Sequence, residues 1–337
     1  MLQAMIIKIM YLKIMYHEAE FHLMMIKLLV LVISAILLAY SSDWFTNGAS
    51  KLARAIGVSD FMIGLTVVAI GTSLPEIAVS ATSAYSQLEG ATGLAVGNII
   101  GSNITNIALI LGTACIVKPI VIDSRISRDA TIHALILVAA SLFFMYQSEI
   151  TRPGGLLLIL VYGWYIWDGY IRHRSVHARR DGVRSNRKYI AQALLETVIG
   201  ALGVLVACKF LVGAAIDIAS ELGISATVIG LTIVALGTSL PELAVSVAAA
   251  KKRQGMMVLG NVIGSNIANI LLALGIGAGI RTITLSDVGE TFVTNIVLMV
   301  FLAMAISIFV RYRGVFDRRV GVLFVMTYAT FIAMTVL

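Results

Sequence analysis

Charge is scarce in this chain. Asp, Glu, Lys and Arg make up 13% of its 337 residues, while 59% are hydrophobic and mean hydropathy is +0.96, a balance outside the range of soluble globular domains. The shortage excludes a fully solvated surface and marks an integral membrane protein. Alternation of polar and apolar residues is missing too, which excludes a transmembrane β-barrel and leaves helices as the elements able to satisfy the backbone in lipid. Cysteine is limited to Cys115 and Cys208, each in an apolar stretch. That excludes a disulfide framework and a thiolate metal centre. Of the five histidines, His17 and His22 precede the first apolar run, His133 stands near a predicted helix start, and His173 and His177 lie in a basic loop. None pairs at ligand spacing inside the membrane, which argues against zinc.

What is present is apolar run after apolar run, for example 28–40, 130–146, 155–167, 292–309 and 320–337. Extended through neighbouring small polar residues, they approach the roughly 20 residues needed to span a bilayer. The pattern predicts ten helices, over 26–50, 60–84, 92–117, 129–147, 153–171, 190–219, 226–250, 256–280, 290–310 and 319–336. The net charge of +7 then resolves into a topology signal. Lys51 and Arg54, Lys118, Arg125 and Arg128, the seven basic residues from Arg172 to Lys188, Lys251 to Arg253, and Arg311 to Arg319 all fall in alternate loops, while the opposite loops hold only Arg152 and Arg281. Positive residues stay in the cytoplasm, so both termini are expected outside, and nucleic acid is excluded as a partner. The first 23 residues, rich in Met, lack the features of a signal peptide. They read as an interfacial helix or as a stretch preceding a true start near Met24.

The chain also repeats itself. Residues 63–80, IGLTVVAIGTSLPEIAVS, align with 229–246, IGLTIVALGTSLPELAVS, at an offset of 166, with every position identical or an exchange among Val, Ile and Leu. A second block, GNIIGSNITNI at 97–107, aligns with GNVIGSNIANI at 260–270 at an offset of 163. Five predicted helices separate the two copies, so they cross the membrane in opposite senses. The fold class expected is therefore an all-α membrane protein of ten transmembrane helices in two inverted-topology five-helix repeats. Its divisions are an N-terminal extension (1–23), a first half (24–172), a short basic cytoplasmic loop (173–188) and a second half (189–337). Inverted repeats are characteristic of secondary transporters, with the site at the midplane between interrupted helices. Duplication alone explains shared apolar residues. It does not explain why Asn, Ser, Thr and Glu are repeated so faithfully.

Glu76 and Glu242 are the carboxylates that fall deep within predicted spans, with Glu196 a borderline case. A carboxylate at that depth costs a few kcal/mol and signals function. The alternative, a protonated or salt-bridged structural Glu, has only Lys209 as a candidate partner, and Lys209 has no counterpart in the first half. Pro75 and Pro241 lack an N–H and leave the carbonyls of Gly71 and Gly237 without helical partners, as cation ligands. Thr72, Ser73 and Glu76, and again Thr238, Ser239 and Glu242, surround each break at spacings that share a helix face. Asn98, Ser102 and Asn106 form a stripe at i, i+4 and i+8, as do Asn261, Ser265 and Asn269. Taken alone, such a stripe can be helix–helix glue, with Gly97, Gly101, Gly260 and Gly264 permitting close approach. Combined with the carboxylates and duplicated, it reads as a cage of hard oxygen donors suited to Ca2+ or Na+ rather than to transition metals. Two glutamates balance one Ca2+ or two Na+.

These two motif pairs, GTSLPE with GNIIGSN and GTSLPE with GNVIGSN, closely resemble the alpha-repeats of the sodium/calcium exchangers in the cation/calcium antiporter superfamily. The resemblance implies an antiporter of the cell membrane that exchanges Na+ for Ca2+ by alternating access, three Na+ per Ca2+, with no cofactor and no required protein partner. Carried over by position, Glu76 and Glu242 are the central ligands. Thr72, Thr238, Ser102, Ser265 and the carbonyls of Ala69 and Ala235 are further donors, Ser73 and Ser239 line the breaks, and Asn106 and Asn269 flank the centre. Some relatives carry Asp where this chain has Asn269, which disfavours potassium co-transport. Proton/calcium relatives usually read GN rather than GTSLP before the Glu, which favours sodium. The short loop at 173–188 leaves no room between the halves for the cytosolic calcium-sensing domains of animal exchangers, so the chain resembles the compact prokaryotic form.

Other classes fit less well. A proton/calcium antiporter would exchange protons at the same glutamates. A cation channel usually repeats its pore elements in parallel symmetry around an axis. An intramembrane hydrolase with Ser73 or Ser239 as nucleophile lacks a nearby base, so an enzyme is not expected. For alternating access, the first and sixth predicted helices are the candidate sliding elements, being free of the repeated motifs. Gly48, Gly57, Gly200 and Gly203 are expected to permit the sliding.

Overall fold

Lipid offers the backbone no hydrogen-bonding partners, so apolar runs this long fold as helices. A computed structural model describes residues 2–85, 91–147, 149–173, 187–221, 235–284 and 292–336. Helix α1 spans Leu2–Ile56, well beyond the expected 26–50, and α2 (Asp60–Thr72) and α3 (Leu74–Tyr85) follow. Then come α4 (residues 91–117), α5 (Ser127–Tyr146) and α6 (Arg152–His173). The second half holds α7 (Arg187–Glu221), α8 (Ala235–Thr238), α9 (Leu240–Lys251), α10 (Gly255–Ile280), α11 (Phe292–Tyr312) and α12 (Arg318–Val336). Seven of the described helices are long and apolar enough to cross a membrane, and the bent pair α2–α3 makes an eighth. The spans expected over 226–250 and 319–336 are not among these. Part of the first lies outside the described residues, and the second corresponds to the 19-residue helix α12.

Burial sorts the helices into a centre and a periphery. In α10, 94% of the most apolar window is buried and in α4 78%, against 11% in α1. The outer helices turn large apolar side chains outward, including Leu29, Ile36, Trp164, Leu202 and Phe301, as lipid contact requires.

Two short strand pairs tie the halves together. Ile120–Val121 pairs antiparallel with Val315–Phe316, and Glu149–Ile150 with Ile283–Thr284. Each pair joins a segment of the first half to one of the second. The pairing also gathers the basic loop residues Lys118, Arg125, Arg313 and Arg318 around one strand pair, and Arg152 and Arg281 beside the other. The charge asymmetry read from the sequence is thus an asymmetry between two strand-paired ends.

Helices α1 and α7 pack along each other more extensively than any other described pair. Small residues explain the closeness: a β-carbon at Gly200 would lie 2.4 Å from the Phe45 backbone nitrogen, and one at Gly48 would lie 2.5 Å from that of Thr197. Gly203 meets Ser41 in the same seam, and Gly57, at φ 74°, lies just past the end of α1. This revises the expectation for these glycines. Gly48, Gly200 and Gly203 clamp α1 to α7, and none of them faces the central helices as a sliding surface. Ion pairs complete the clamp, Lys51 with Glu196 at 2.6 Å and Lys27 with Glu221. Glu196 is therefore a partnered carboxylate at the rim of the bundle.

Against the core, α1 is held by polar bonds. Lys252 reaches Thr46 Oγ1 at 2.6 Å and the Asp43 carboxylate at 2.9 Å, and Gln254 donates to Ser50.

The α1–α7 seam yields a direct test. Replacing Gly200 by Val forces two backbones apart, so the variant is expected to lose about 1–3 kcal/mol or more of stability. Thermal unfolding in detergent, compared with Gly213→Val on the same helix, checks this, since Gly213 has no neighbour in contact range among the described residues.

Candidate cation site

Both GTSLPE motifs break their helices, and they break them early. The turn falls at Ser73 (φ −82°, ψ 10°) and Ser239 (φ −92°, ψ 3°), two residues before each proline. Pro75 and Pro241 then stand second in the new helices α3 and α9, where the first turn needs no N–H partner. Helices α2 and α3 meet at 48°. Consequently Thr72 and Glu76 sit on two separate segments, not on one face of a continuous helix as their spacing suggested.

Around these breaks the two halves interlock. Ser73 Oγ donates to Glu242 Oε1 at 2.9 Å, and Ser239 Oγ lies 3.5 Å from Glu76 Oε1, so each serine addresses the carboxylate of the other repeat. Ser102 Oγ also approaches Glu76 Oε1, at 3.4 Å. Glu76 and Glu242 are each 1% exposed, and no basic side chain pairs with either among the described residues. Lys209, the sequence candidate for a partner, makes no ion pair with them. Two buried carboxylates thus face a site furnished with hydroxyls, a net acceptor environment.

The central helices bring in the asparagine stripe. Both α4 and α10 contain a π-helical turn, Asn106–Leu111 and Ala268–Ala273. Such turns widen a helix and often mark functional positions. Asn106 opens the first and Asn269 stands second in the other; both are buried. Among the buried oxygens that find no partner among the described residues are Glu76 Oε2, Glu242 Oε2, Asn106 Oδ1 and Asn269 Oδ1. They form two repeat-related pairs, and acceptors left unpaired in an interior are the chemistry a cation satisfies.

The other expected donors differ between the halves. Thr72 is buried and hydrogen-bonds back to the Val68 carbonyl at 3.1 Å, whereas Thr238 is half-buried. The Ala69 carbonyl accepts the Ser73 N–H at 3.0 Å, and the Thr72 hydroxyl lies 3.4 Å from the same oxygen. In the second half Ser239 N–H goes to the Leu236 carbonyl instead, so Ala235 is not engaged in the same way. Ser265 is buried beside Asn261, its Oγ 3.5 Å from Asn261 Oδ1. Asn98 is only half-buried, while Asn261 is buried and bonds Ser246 at 3.0 Å. Gly260 and Gly264 lie against the α2 backbone, a β-carbon at Gly260 falling 2.2 Å from the Phe61 carbonyl; Gly97 and Gly101 make no such contact among the described residues.

The sequence reading missed a second layer. Asn103 and Asn266, the last letters of the two GSN motifs, are fully buried and hold the amide nitrogens of Asn269 and Asn106, each at 3.0 Å. Their faithful repetition was the available signal. His133, on α5, is buried against Asn266.

Among the described residues no group of three or more His, Cys, Asp or Glu side chains is arranged to hold a metal, and both cysteines are buried free thiols. Carboxylate, hydroxyl and amide oxygens are the donors gathered here, a set for hard cations.

Comparison with known proteins decides the family. The family model described as sodium/calcium exchanger protein matches residues 26–167 and 193–337, both halves of the chain. The chain belongs to the sodium/calcium exchanger family. It is 39% identical to an uncharacterized membrane protein of Methanocaldococcus jannaschii over 90% of this chain and 95% of that one. To the sodium/calcium exchanger MaX1 of Methanosarcina acetivorans it is 31% identical, over 91% and 97% of the two chains. A solved structure of the sodium-calcium exchanger NCX_Mj, soaked with Na+ and without Ca2+, matches with a TM-score of 0.81 at 36% identity, covering 92% of this chain and 99% of that one.

Removing the Ser73 hydroxyl leaves Glu242 Oε1 without the donor that lies 2.9 Å away. Ser73→Ala is expected to weaken Ca2+ binding about tenfold, in line with hydrogen bonds to charged groups, measured by calorimetric titration of the purified protein.

Proposed function

We propose that this chain exchanges Na+ for Ca2+ across the cell membrane by alternating access, using one site assembled from both GTSLPE and both GNxIGSN motifs. The observation that carries the reading is the pair of buried glutamates, bridged reciprocally by serines of the opposite repeat and without a basic partner among the described residues. A formal charge of −2 at such a site needs cations, and hard oxygen donors accept one Ca2+ or Na+ ions in its place. Glu76 and Glu242 are the central ligands. Thr72, Thr238, Ser73, Ser239, Ser102, Ser265, Asn106, Asn269 and the carbonyls of Ala69 and Ala235 complete the set. Asn269 in place of a carboxylate keeps the charge at −2 and disfavours a third monovalent partner such as potassium.

Exchange follows from that charge. An empty site leaves two carboxylates desolvated and unpaired, a state costly enough to oppose conversion between the two faces of the membrane. A site loaded with either ion is neutralised, so loaded forms cross and the two gradients are coupled. The architecture we infer is ten crossings in two inverted five-helix halves, 24–172 and 189–337, with both termini outside. The reciprocal strand pairs and the reciprocal serine–glutamate contacts support it. The moving element is the α1–α7 pair. Its own seam is tight and ion-paired, so it travels as a unit, while it meets the core through the polar bonds of Lys252 and Gln254 and through Phe45, whose ring lies against Gly71.

Calcium uptake into proteoliposomes is expected under an outward sodium gradient and not under a pH gradient alone. Uptake with the pH gradient only would replace this reading with proton/calcium exchange, and conductance beyond transporter turnover would indicate a channel. Glu76→Gln and Glu242→Gln are each expected to abolish exchange, because no neighbour restores the lost charge; full transport by either variant would remove that residue from the site. Asn269→Asp adds a third titratable group, and its exchange is expected to become more dependent on pH than that of the parent protein.

A further inference from the structure

The amides behind the site carry a step beyond the ligand set, and it rests on the reading of Asn106 as a cation ligand. An asparagine side chain ends in an oxygen and an NH2 group of nearly equal size, and only the oxygen attracts a cation. Which end faces the site is therefore set by what holds the other end. Asn106 Nδ2 donates to Asn266 Oδ1 at 3.0 Å, and Asn269 Nδ2 donates to Asn103 Oδ1 at 3.0 Å. The orientation of each ligand amide thus depends on an asparagine from the opposite half.

Those asparagines need fixing in turn. Asn266 Nδ2 lies 3.2 Å from His133 Nε2 and 3.4 Å from the Asn103 carbonyl. Asn103 Nδ2 lies 3.4 Å from the Asn266 carbonyl and 3.6 Å from Met299 Sδ. His133 and Met299 are 166 residues apart, the offset of the GTSLPE blocks, and occupy matching places on α5 and α11. One half therefore closes its chain of amides on an imidazole nitrogen, a good acceptor, and the other on a thioether, a poor one. With Asn266 as donor, His133 accepts at Nε2 and carries its proton on Nδ1, which is buried without a partner among the described residues.

We propose that His133 is a positioning residue for exchange: by accepting from Asn266 it keeps Asn266 Oδ1 turned to Asn106 Nδ2, and so keeps Asn106 Oδ1 turned to the ion. Without that acceptor, Asn266 Nδ2 keeps only the longer contact to the Asn103 carbonyl, at 3.4 Å, and Asn266 is freer to turn over. Asn106 then turns with it and presents NH2 to the cation.

The test exploits a symmetric ligand. A carboxylate at position 106 has oxygen at both ends and needs no orienting. In proteoliposomes under a sodium gradient, His133→Leu is expected to raise the calcium KM about tenfold, the scale of one lost hydrogen bond near charge, with kcat changed less. In the Asn106→Asp background the same His133→Leu change is expected to raise KM less than about twofold. An equal cost in both backgrounds would mean that His133 only supports the fold, and would overturn the proposal. His133→Met copies the acceptor of the other half and is expected to fall between the parent protein and His133→Leu. Where His133→Leu does not fold, the same comparison with His133→Met decides, and an equal cost in both backgrounds again overturns it. Asn106→Ala separates the two levels. A raised KM there together with an unchanged KM in His133→Leu overturns the positioning role alone, whereas an unchanged KM in Asn106→Ala overturns the ligand role of Asn106 and the positioning role with it.

Discussion

Two buried carboxylates, with no basic partner among the described residues, set the terms for everything around them. Each costs several kcal/mol to desolvate while charged, and an internal Lys or Arg would have lowered that cost permanently. A permanent counter-ion would also close the site to any other cation. Glu76 and Glu242 are met instead by hydroxyls that stabilise without neutralising. On the proposed reading, the compensation is left to an ion that can leave.

The rest of the architecture serves that condition. Helix breaks at Ser73 and Ser239 set the carboxylates at the start of new helices and free the serines to reach across to the other repeat. Glycines at 260 and 264 let α10 lie against α2 at backbone contact, which keeps the central helices close around the site. The polar groups are concentrated at the centre, and the α1–α7 pair meets it through the hydrogen bonds of Lys252 and Gln254 and the Phe45 ring on Gly71. A tight seam within the pair is what the proposed movement of α1 and α7 as one body requires.

Much of this was legible in the residues. Repetition of GTSLPE and GNxIGSN pointed to the family and drew attention to Glu76 and Glu242, which the structure buries, because polar letters repeated between two apolar copies have few structural excuses. Local rules also foresaw a broken helix, though at the wrong residue. Proline alone suggests a loss of the bond four residues back, whereas the chain turns earlier, at serine, and uses proline to begin the next helix. What local pattern could not supply was the partner across the repeat. Asn103 looks like one more small polar residue in a helix until it is seen to hold Asn269, and nothing in residues 97–107 encodes that contact. The glycines at 48, 200 and 203 were misread for the same reason: spacing shows that a helix can be approached closely, not by which neighbour. His133 stood out as a lone histidine and gained meaning only from the matching place of Met299.

The crossed contacts also bear on how the chain is made. Ser73 with Glu242, Asn106 with Asn266, and both strand pairs join segments separated by more than 130 residues. At synthesis rates of roughly 5–20 residues per second, the first half waits on the order of ten seconds or more in the bilayer before its partners emerge. During that interval its strand edges and polar side chains are uncovered, as are the glycine face of α1 and the amide of Asn103. The completed chain supplies both sides of each of these contacts in one molecule, so its first half is an intermediate that must be held in lipid until translation is nearly complete.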